Sequence, residues 1–340
     1  MSGIVGLYDF ANKDALRAST ARMLDAVAHR GPDGRQVWHQ EFLGLGHAAL
    51  HTTPEARHEE WPLVSPDGER VLTADARIDN RADLLSVLTP RRTPDGVVTD
   101  AALILAAYEK WGRGCARHLI GDFAFALWDR RREWLFCARD VFGVRPFYYV
   151  FEDDHRFGFA SEIKALLHLD ESLDALNEEY LADVLVGLNA NTTDTAYASI
   201  VRLPPAHTLT VRPGMCRVER YWSLDAERTV RYASDAEYAA AFRTVFDEAV
   251  RCRLRSPGPV GALLSGGLDS SSIVATAQAL DETPPLHTFS TVFDAHPSCD
   301  ERPYIAAVVQ QGGVTAHQTA GETVSPVRLL NALGNVQDQP

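Results

Sequence analysis

The chain has 340 residues, 46% of them hydrophobic, and 46 Asp and Glu against 33 Lys and Arg give a formal net charge of −13. That acidity argues against a general binder of nucleic-acid backbones, which carries a basic face, though it leaves room for a local basic patch. No apolar run is long enough to span a bilayer, the start MSGIVGLYDF lacks the basic region and cleavage site of a signal peptide, and the five scattered cysteines never form CxxC, as in a reducing cytosol.

Residues 3–8 read as a buried strand at the very terminus. Residues 14–28 read as a helix, with Leu16, Met23, Leu24 and Val27 as a partial apolar stripe, and the HRGPDG turn at residues 29–34 stops it. Strand-like pieces follow at 43–50 and 70–78. Residues 100–111 form a helix with Leu103, Ile104, Ala107, Tyr108 and Trp111 on one face, Thr99 or Asp100 as its cap and Gly112 as its end. Two hairpins are expected, 123–129 with 134–138 and 147–151 with 156–160, the second around an acidic turn at 152–154. Helices at 161–168 and 177–186 take Ser161 and Asn177 as N-caps, and Gly187 closes the second. Antiparallel strands mixed with a few helices predict α/β layers.

Residues 188–203 look irregular, and 208–211 with 218–222 form a last hairpin. A linker is expected near 225–233. Ser234 then opens a long helix to about residue 254 with the capping box Ser234-x-x-Glu237. Tyr238, Phe242, Val245, Phe246 and Val250 line one side of it. Beyond Pro257 strands at 260–264, 286–292 and 314–319 alternate with helices at 271–280, 304–311 and 324–333, which means a parallel sheet with right-handed crossovers. The domains expected are 1–210, a linker and hairpin at 211–233, and the front of a second domain at 234–340. Three parallel strands would leave one edge and one face open, so the chain is expected to be truncated.

The stretch at 263–272, LLSGGLDSSS, lies between a strand and a helix, where unpaired amides and the helix dipole favour an anion. Leu264 ends the strand. Gly266 and Gly267 let the backbone approach a ligand, and Ser265, Ser270 and Ser271 add hydroxyls. Asp269 would repel a bare phosphate, so it points to Mg²⁺ between carboxylate and phosphate. No GxxxxGK[ST] occurs, which excludes a Walker A loop. A small-residue turn without a ligand is the bland alternative. SGGLDS resembles the pyrophosphate loop of ATP pyrophosphatases, which cleave ATP between its α- and β-phosphates. The acids of CDER, residues 299–302, either cap the helix that follows or face the nucleotide.

Together MSGIVG, HRGPDG, GDFAFALWD at Gly121, ARDVFGVRPFYY at Ala138 and ASEIKALL at Ala160 resemble the glutaminase domain of asparagine synthetases. LLSGGLDSS and HTFSTVF at His287 resemble its synthetase domain. The resemblance implies an N-terminal nucleophile (Ntn) sandwich of four layers, α/β/β/α, followed by a parallel-sheet ATP pyrophosphatase domain, here truncated. It implies ATP and Mg²⁺, adenylation of a carboxylate and transfer of an amine to it. Thr291 matches a residue whose backbone contacts adenine.

The glutaminase half departs from the family pattern. Ser2 stands at the nucleophilic Cys, a residue that also serves as nucleophile in other Ntn hydrolases. Ala49 stands at the glutamine-carboxylate Arg, and Asp75-Ala76-Arg77 stand at Asn-Gly-Glu, which supplies an oxyanion donor. An Asp carboxylate cannot donate to an oxyanion, and the loss of one such donor costs about 3–4 kcal/mol. Only Asp100, which would hold the substrate amine, stays in the pattern. The half therefore reads as an inactive scaffold, and Arg139, Asp140, Gly143 and Pro146 read as a structural turn.

A synthetase with a dead glutaminase occurs in β-lactam-forming synthetases and in lasso-peptide cyclases, where the amine is already on the substrate. ADARIDNR at 74–81, LGHAALHTTPE at 45–55 and CDER-x-YI at 299–305 look most like lasso-peptide cyclases. Such enzymes adenylate an Asp or Glu side chain of a precursor peptide and close a macrolactam on its N-terminal amine. They work with a leader-binding protein and a protease in the cytoplasm. The alternatives are asparagine formation from aspartate and a non-catalytic nucleotide-binding scaffold.

Overall fold

The computed structural model describes residues 1–10, 15–152, 155–188, 191–280, 285–323, 325, 327, 329 and 330. The chain divides into two compact units, one over Met1–Leu224 and the other from Asp225.

In the first unit, β1 (Gly3–Asp9), β2 (Gly34–Gln40), β3 (Leu43–Ala49), β8 (Tyr148–Glu152), β9 (Arg156–Ala160) and β10 (Val201–Arg202) form one antiparallel sheet, in the order β10-β8-β9-β1-β3-β2. A second contains β4 (Leu63–Val64), β5 (Arg70–Ile78), β6 (Gly121–Asp129), β7 (Trp134–Arg139), β11 (His207–Arg212) and β12 (Met215–Arg220), in the order β12-β11-β7-β6-β5-β4. Side chains alternate between faces along each strand. On β1, Ile4 and Tyr8 enter the core between the sheets with Leu45, Val71, Ala124 and Phe159. Val5 and Leu7 face the other way, onto α1 (Leu16–Ala26) and α4 (Ile163–Leu167). On β6, Ala124 and Ala126 face between the sheets, while Phe123, Phe125 and Leu127 face α3 (Asp100–Trp111). The layers therefore run helix, sheet, sheet, helix. Strands covered on both faces read as continuous apolar runs, which is why they stood out in the sequence.

Thr99 caps α3 by accepting from Ala102 N at 3.2 Å, and Asn177 caps α5 (Glu178–Leu185) by accepting from Tyr180 N at 3.0 Å, as expected. Ser161 does not cap α4. Its hydroxyl accepts from Ile4 N at 2.9 Å and ties β9 to β1, and α4 starts after Glu162 without a side-chain cap. Strand β2, exposed over its first three residues, and α2 (Arg81–Val87) were not anticipated. The expected helix start at Asp14, the turn at 153–154 and most of the helix expected at 324–333 lie outside the described residues.

In the second unit α6 (Asp235–Arg253) carries the Ser234 half of the expected capping box, while Glu237 reaches one residue beyond the cap. Ser234 Oγ accepts from Glu237 N at 3.3 Å, and the Glu237 carboxylate accepts from Ala233 N at 2.9 Å. Strands β13 (Val260–Leu263), β14 (Leu286–Val292) and β15 (Val314–Ala320) form a parallel sheet in that order, with α7 (Leu268–Ala279) and α8 (Arg302–Val309) in the crossovers. Leu264, Val274, Leu286, Ile305 and Val308 build its core. On β14, Leu286, Thr288, Ser290 and Val292 are buried, and His287, Phe289 and Thr291 lie on the opposite face. No helix of the described residues is long and apolar enough to cross a membrane.

Candidate functional site

The loop after β13 is held at both ends. Leu264 N donates to Phe289 O at 2.9 Å, and the Leu264 carbonyl accepts from Ser290 Oγ at 2.7 Å. The chain then turns through Gly266, whose φ of +87° is the left-handed region. A Cβ there would stand 2.9 Å from Tyr304 Cβ and 3.2 Å from Glu301 O, at the start of α8. Conformation and close approach both demand glycine. At Gly267 (φ −67°) a Cβ would meet no protein atom closer than 3.5 Å, so the protein's own packing demands glycine only at Gly266.

Ser270 Oγ lies 3.1 Å from Ser265 Oγ, accepts from Ser265 N at 3.2 Å and donates to Gly267 O at 3.2 Å. Ser271 N donates to Gly267 O at 3.0 Å, the first intrahelical bond of α7. The amides of Leu268, Asp269 and Ser270 precede it and are the donors that a helix start presents to an anion. Asp269 is exposed and lines a groove of about 540 Å³ with Phe242 and Phe246 of α6. Thr291, also exposed, lies two residues past Phe289, the partner of Leu263, at the same carboxyl end of the sheet. Glu301 makes no side-chain cap on α8. Asp300 holds Arg302 at 2.7 Å, and Arg302 also reaches Asp294 at 2.8 Å.

The second candidate site surrounds Ser2. Its main-chain amide donates to Asp75 Oδ1 at 3.1 Å; its hydroxyl accepts from Leu50 N at 3.0 Å and lies 3.4 Å from Leu50 O. Ser2 thus ties the start of β1 to the end of β3 and to the middle of β5. Asp75 is buried, and Arg145 Nη1 stands 3.5 Å from its Oδ1. Burial raises the Asp75 carboxyl above its ordinary range, and Arg145 pulls against that. Burial also lowers the N-terminal amine. Asp75 Oδ2 and Arg145 Nε have no hydrogen-bond partner among the described residues.

The remaining pocket positions are turned to neighbours. Ala49 is buried at the end of β3, and Ala76 packs toward α3. Arg77 Nε pairs with Asp79 at 3.0 Å. Asp100 is buried; its carboxylate accepts from Ile78 N at 3.1 Å and from Arg81, which also donates to the Val98 carbonyl. Glu59 accepts from Ala101 N at 3.2 Å, and burial together with the Asp100 charge pushes its carboxyl up to about 8.

Arg139 and Asp140 build the turn that delivers Arg145. The Arg139 guanidinium donates to the carbonyls of Gly143, Arg145 and Leu203, each at 2.7 Å. The Asp140 carboxylate accepts from the amides of Phe123, Phe142, Val144 and Arg145 at 2.9–3.3 Å. The HRGPDG segment is largely exposed, with Gly31 alone buried, and it is tied down through its first two residues. Glu162 gathers Arg30, His29 at 2.9 Å and Lys164 at 2.6 Å. Sequence reasoning missed Arg145, Leu50 and Glu59 as site residues, although Arg145 and Leu50 lay within motifs it had singled out.

Residues 1–222 match the family model for a glutamine amidotransferase domain, and residues 241–339 the model for asparagine synthase. The asparagine synthetase (glutamine-hydrolyzing) 3 of Bacillus subtilis is 32% identical over 356 positions, covering all of this chain and 57% of the relative. A putative asparagine synthetase (glutamine-hydrolyzing) 2 of Methanocaldococcus jannaschii is 28% identical over 362 positions, covering all of this chain and 68% of the relative. The chain thus spans 57% and 68% of the lengths of these curated relatives. Among solved structures, the glutamine phosphoribosylpyrophosphate amidotransferase of Bacillus subtilis gives a TM-score of 0.47 at 13% identity, over 93% of this chain and 80% of that one.

Proposed function

The chain belongs to the glutamine amidotransferase and asparagine synthase family, and from that membership we propose that it is part of an ATP-dependent amide ligase whose glutaminase half no longer hydrolyses glutamine. The ligase adenylates a carboxylate, releasing pyrophosphate, and joins it to an amine. The substrate proposed is a precursor peptide whose own Asp or Glu side chain and N-terminal amine close a lasso-peptide macrolactam. A leader-binding protein and a protease are the expected partners, in the cytoplasm.

The observation that carries this reading is a contrast between the two sites. The loop keeps a glycine where a side chain would strike Tyr304, with helix-start amides beside it. The Ser2 site has a buried carboxylate where an oxyanion would need a donor. Ser265, Gly266, Gly267, Ser270 and Ser271 would hold the pyrophosphate group, and the Thr291 backbone would meet adenine. No cluster of three or more potential metal-ligating side chains occurs among the described residues. The Mg²⁺ proposed takes one or two carboxylates and completes its shell with phosphate and water oxygens. Asp269 is the carboxylate offered; when bound, the ion would neutralise charge on the leaving group.

The test is AMP formation by the full-length protein with a linear precursor peptide, with the product lighter than the peptide by one water. A second reading, asparagine formation, is favoured by the names of the relatives. It predicts asparagine and AMP from aspartate, ATP and ammonium. ATP binding without turnover on either substrate would sink both ligase readings and leave a nucleotide-binding scaffold.

A further inference from the structure

The far end of β1 from Ser2 opens into a cleft of about 610 Å³ that neither site above uses, of the size that small-molecule pockets have. Several hairpin ends converge on it. Tyr8 comes from β1, Phe42 from the β2–β3 turn, Trp128 and Arg130 from the end of β6, and Arg212 from the end of β11. From these residues we propose a second binding site, for a small anion built on a planar aromatic ring.

The aromatic wall is preformed. Tyr8 meets Phe10 and Trp128 edge-on, with ring centroids 4.4 and 5.2 Å away. Tyr8 is only 7% exposed. Burial, with the charge of Glu133, raises its hydroxyl to about 12 against the pull of Arg212, so it remains a donor.

The cationic wall has capacity to spare in a chain that is acidic overall. Arg132 pairs with Asp129 at 3.5 Å. Arg130 and Arg212 have no carboxylate partner among the described residues. Arg212 donates through Nη2 to Arg132 O at 2.7 Å and lies over the Trp134 ring, yet its buried Nε is unpartnered. Guanidinium groups without carboxylate partners leave donors that an anionic ligand can use.

Two strained residues frame the cleft. Glu41 and Glu133 have φ of +44° and +52°, at the tips of hairpins from different sheets. Among the described residues only Ala206 is another non-glycine with positive φ. Such conformations persist where the surroundings hold them. Their two carboxylates at the rim oppose a polyanion, which limits the ligand to one compact anionic group.

The experiment is titration of the full chain, followed by tryptophan fluorescence and calorimetry, with phenylacetate, phenyl phosphate, AMP and inorganic phosphate. At least one ring-bearing anion is expected to bind at about 1 mM or tighter, and inorganic phosphate about tenfold more weakly or worse. Arg212→Gln and, on the exposed rim, Arg130→Gln should each weaken the ring-bearing anion about tenfold, with circular dichroism unchanged. Preference for phenylacetate assigns a carboxylate ligand, and preference for AMP a mononucleotide; either supports the site. Binding of inorganic phosphate as tight as that of the ring compounds, no binding at all, or unaltered binding in R130Q with its fold intact overturns it.

Discussion

Ser2 and Asp75, 73 residues apart in the chain, are joined by a main-chain amide that donates to a buried carboxylate at 3.1 Å. Arg145, at 3.5 Å, supplies the compensating charge. Asp75→Ala should therefore destabilise the first unit by about 3–5 kcal/mol, because it leaves a buried guanidinium unpaired. Denaturant unfolding followed by fluorescence reads this directly. A D75A protein as stable as the parent would show that the pair contributes nothing.

Restoring the thiol should not restore glutamine hydrolysis. Ser2→Cys supplies a nucleophile, but Asp75 still presents a carboxylate where an oxyanion needs a donor, a defect of about 10²–10³ in rate by itself. Glutamate release by S2C, after confirmed removal of Met1, should match the blank. Measurable turnover in that single variant would refute the reading of this half as a scaffold.

The two loop glycines should respond differently to alanine. Gly266→Ala meets both a left-handed backbone and a Cβ 2.9 Å from Tyr304 Cβ, whereas Gly267→Ala meets neither. Strain of about 1–2 kcal/mol at residue 266 would move the loop out of position. ATP-dependent AMP formation should fall by an order of magnitude or more in G266A and less in G267A, where the added methyl meets no protein atom closer than 3.5 Å. Equal losses in the two variants would place the requirement elsewhere.

Between pH 4.5 and 6.5 the contributions of Glu59 and His47 to stability should change in opposite directions. The Glu59 carboxyl is raised from 4.5 to about 8 by burial and by Asp100. Its contribution is complete below 4.5 and is lost as pH rises through about 8. Burial lowers His47 from 6.5 to about 3, so its contribution is complete above 6.5 and is lost as pH falls toward 3. In the interval from 4.5 to 6.5 the slopes have opposite signs. Relative to the parent, Glu59→Gln should shift the slope of stability against pH upward across it, and His47→Gln should shift that slope downward. Denaturation midpoints across this range, unchanged in slope by either substitution, would contradict both shifts.

The strands and the loop were legible in the sequence because their causes are local. An apolar run, a pair of glycines and a capping box act over a few residues, and Val260, Gly266 and Ser234 do what their neighbours dictate. Strand β2 was missed because its first residues are exposed, so it lacks the apolar run of a covered strand. Ser161 was misassigned because a serine before a helix looks like a cap whether its hydroxyl turns toward the helix or, as here, toward Ile4. The destination of Arg145 is set by the Arg139–Asp140 turn and by a carboxylate on another strand, and nothing adjacent in the chain announces it. The contact of Gly266 with α8 is of the same kind.

The contacts around Ser2 also make the site hard to re-evolve. Asn at residue 75 would strand the Arg145 charge before any new donor became useful, and Glu at residue 77 would face Asp79, the present partner of Arg77. An Arg at residue 49 would place a long cation where a buried methyl now fits. On the proposed reading, each of these substitutions would cost stability before it could serve a glutamine pocket. The hydroxyl and carboxylate that now fasten three strands together act as an evolutionary ratchet.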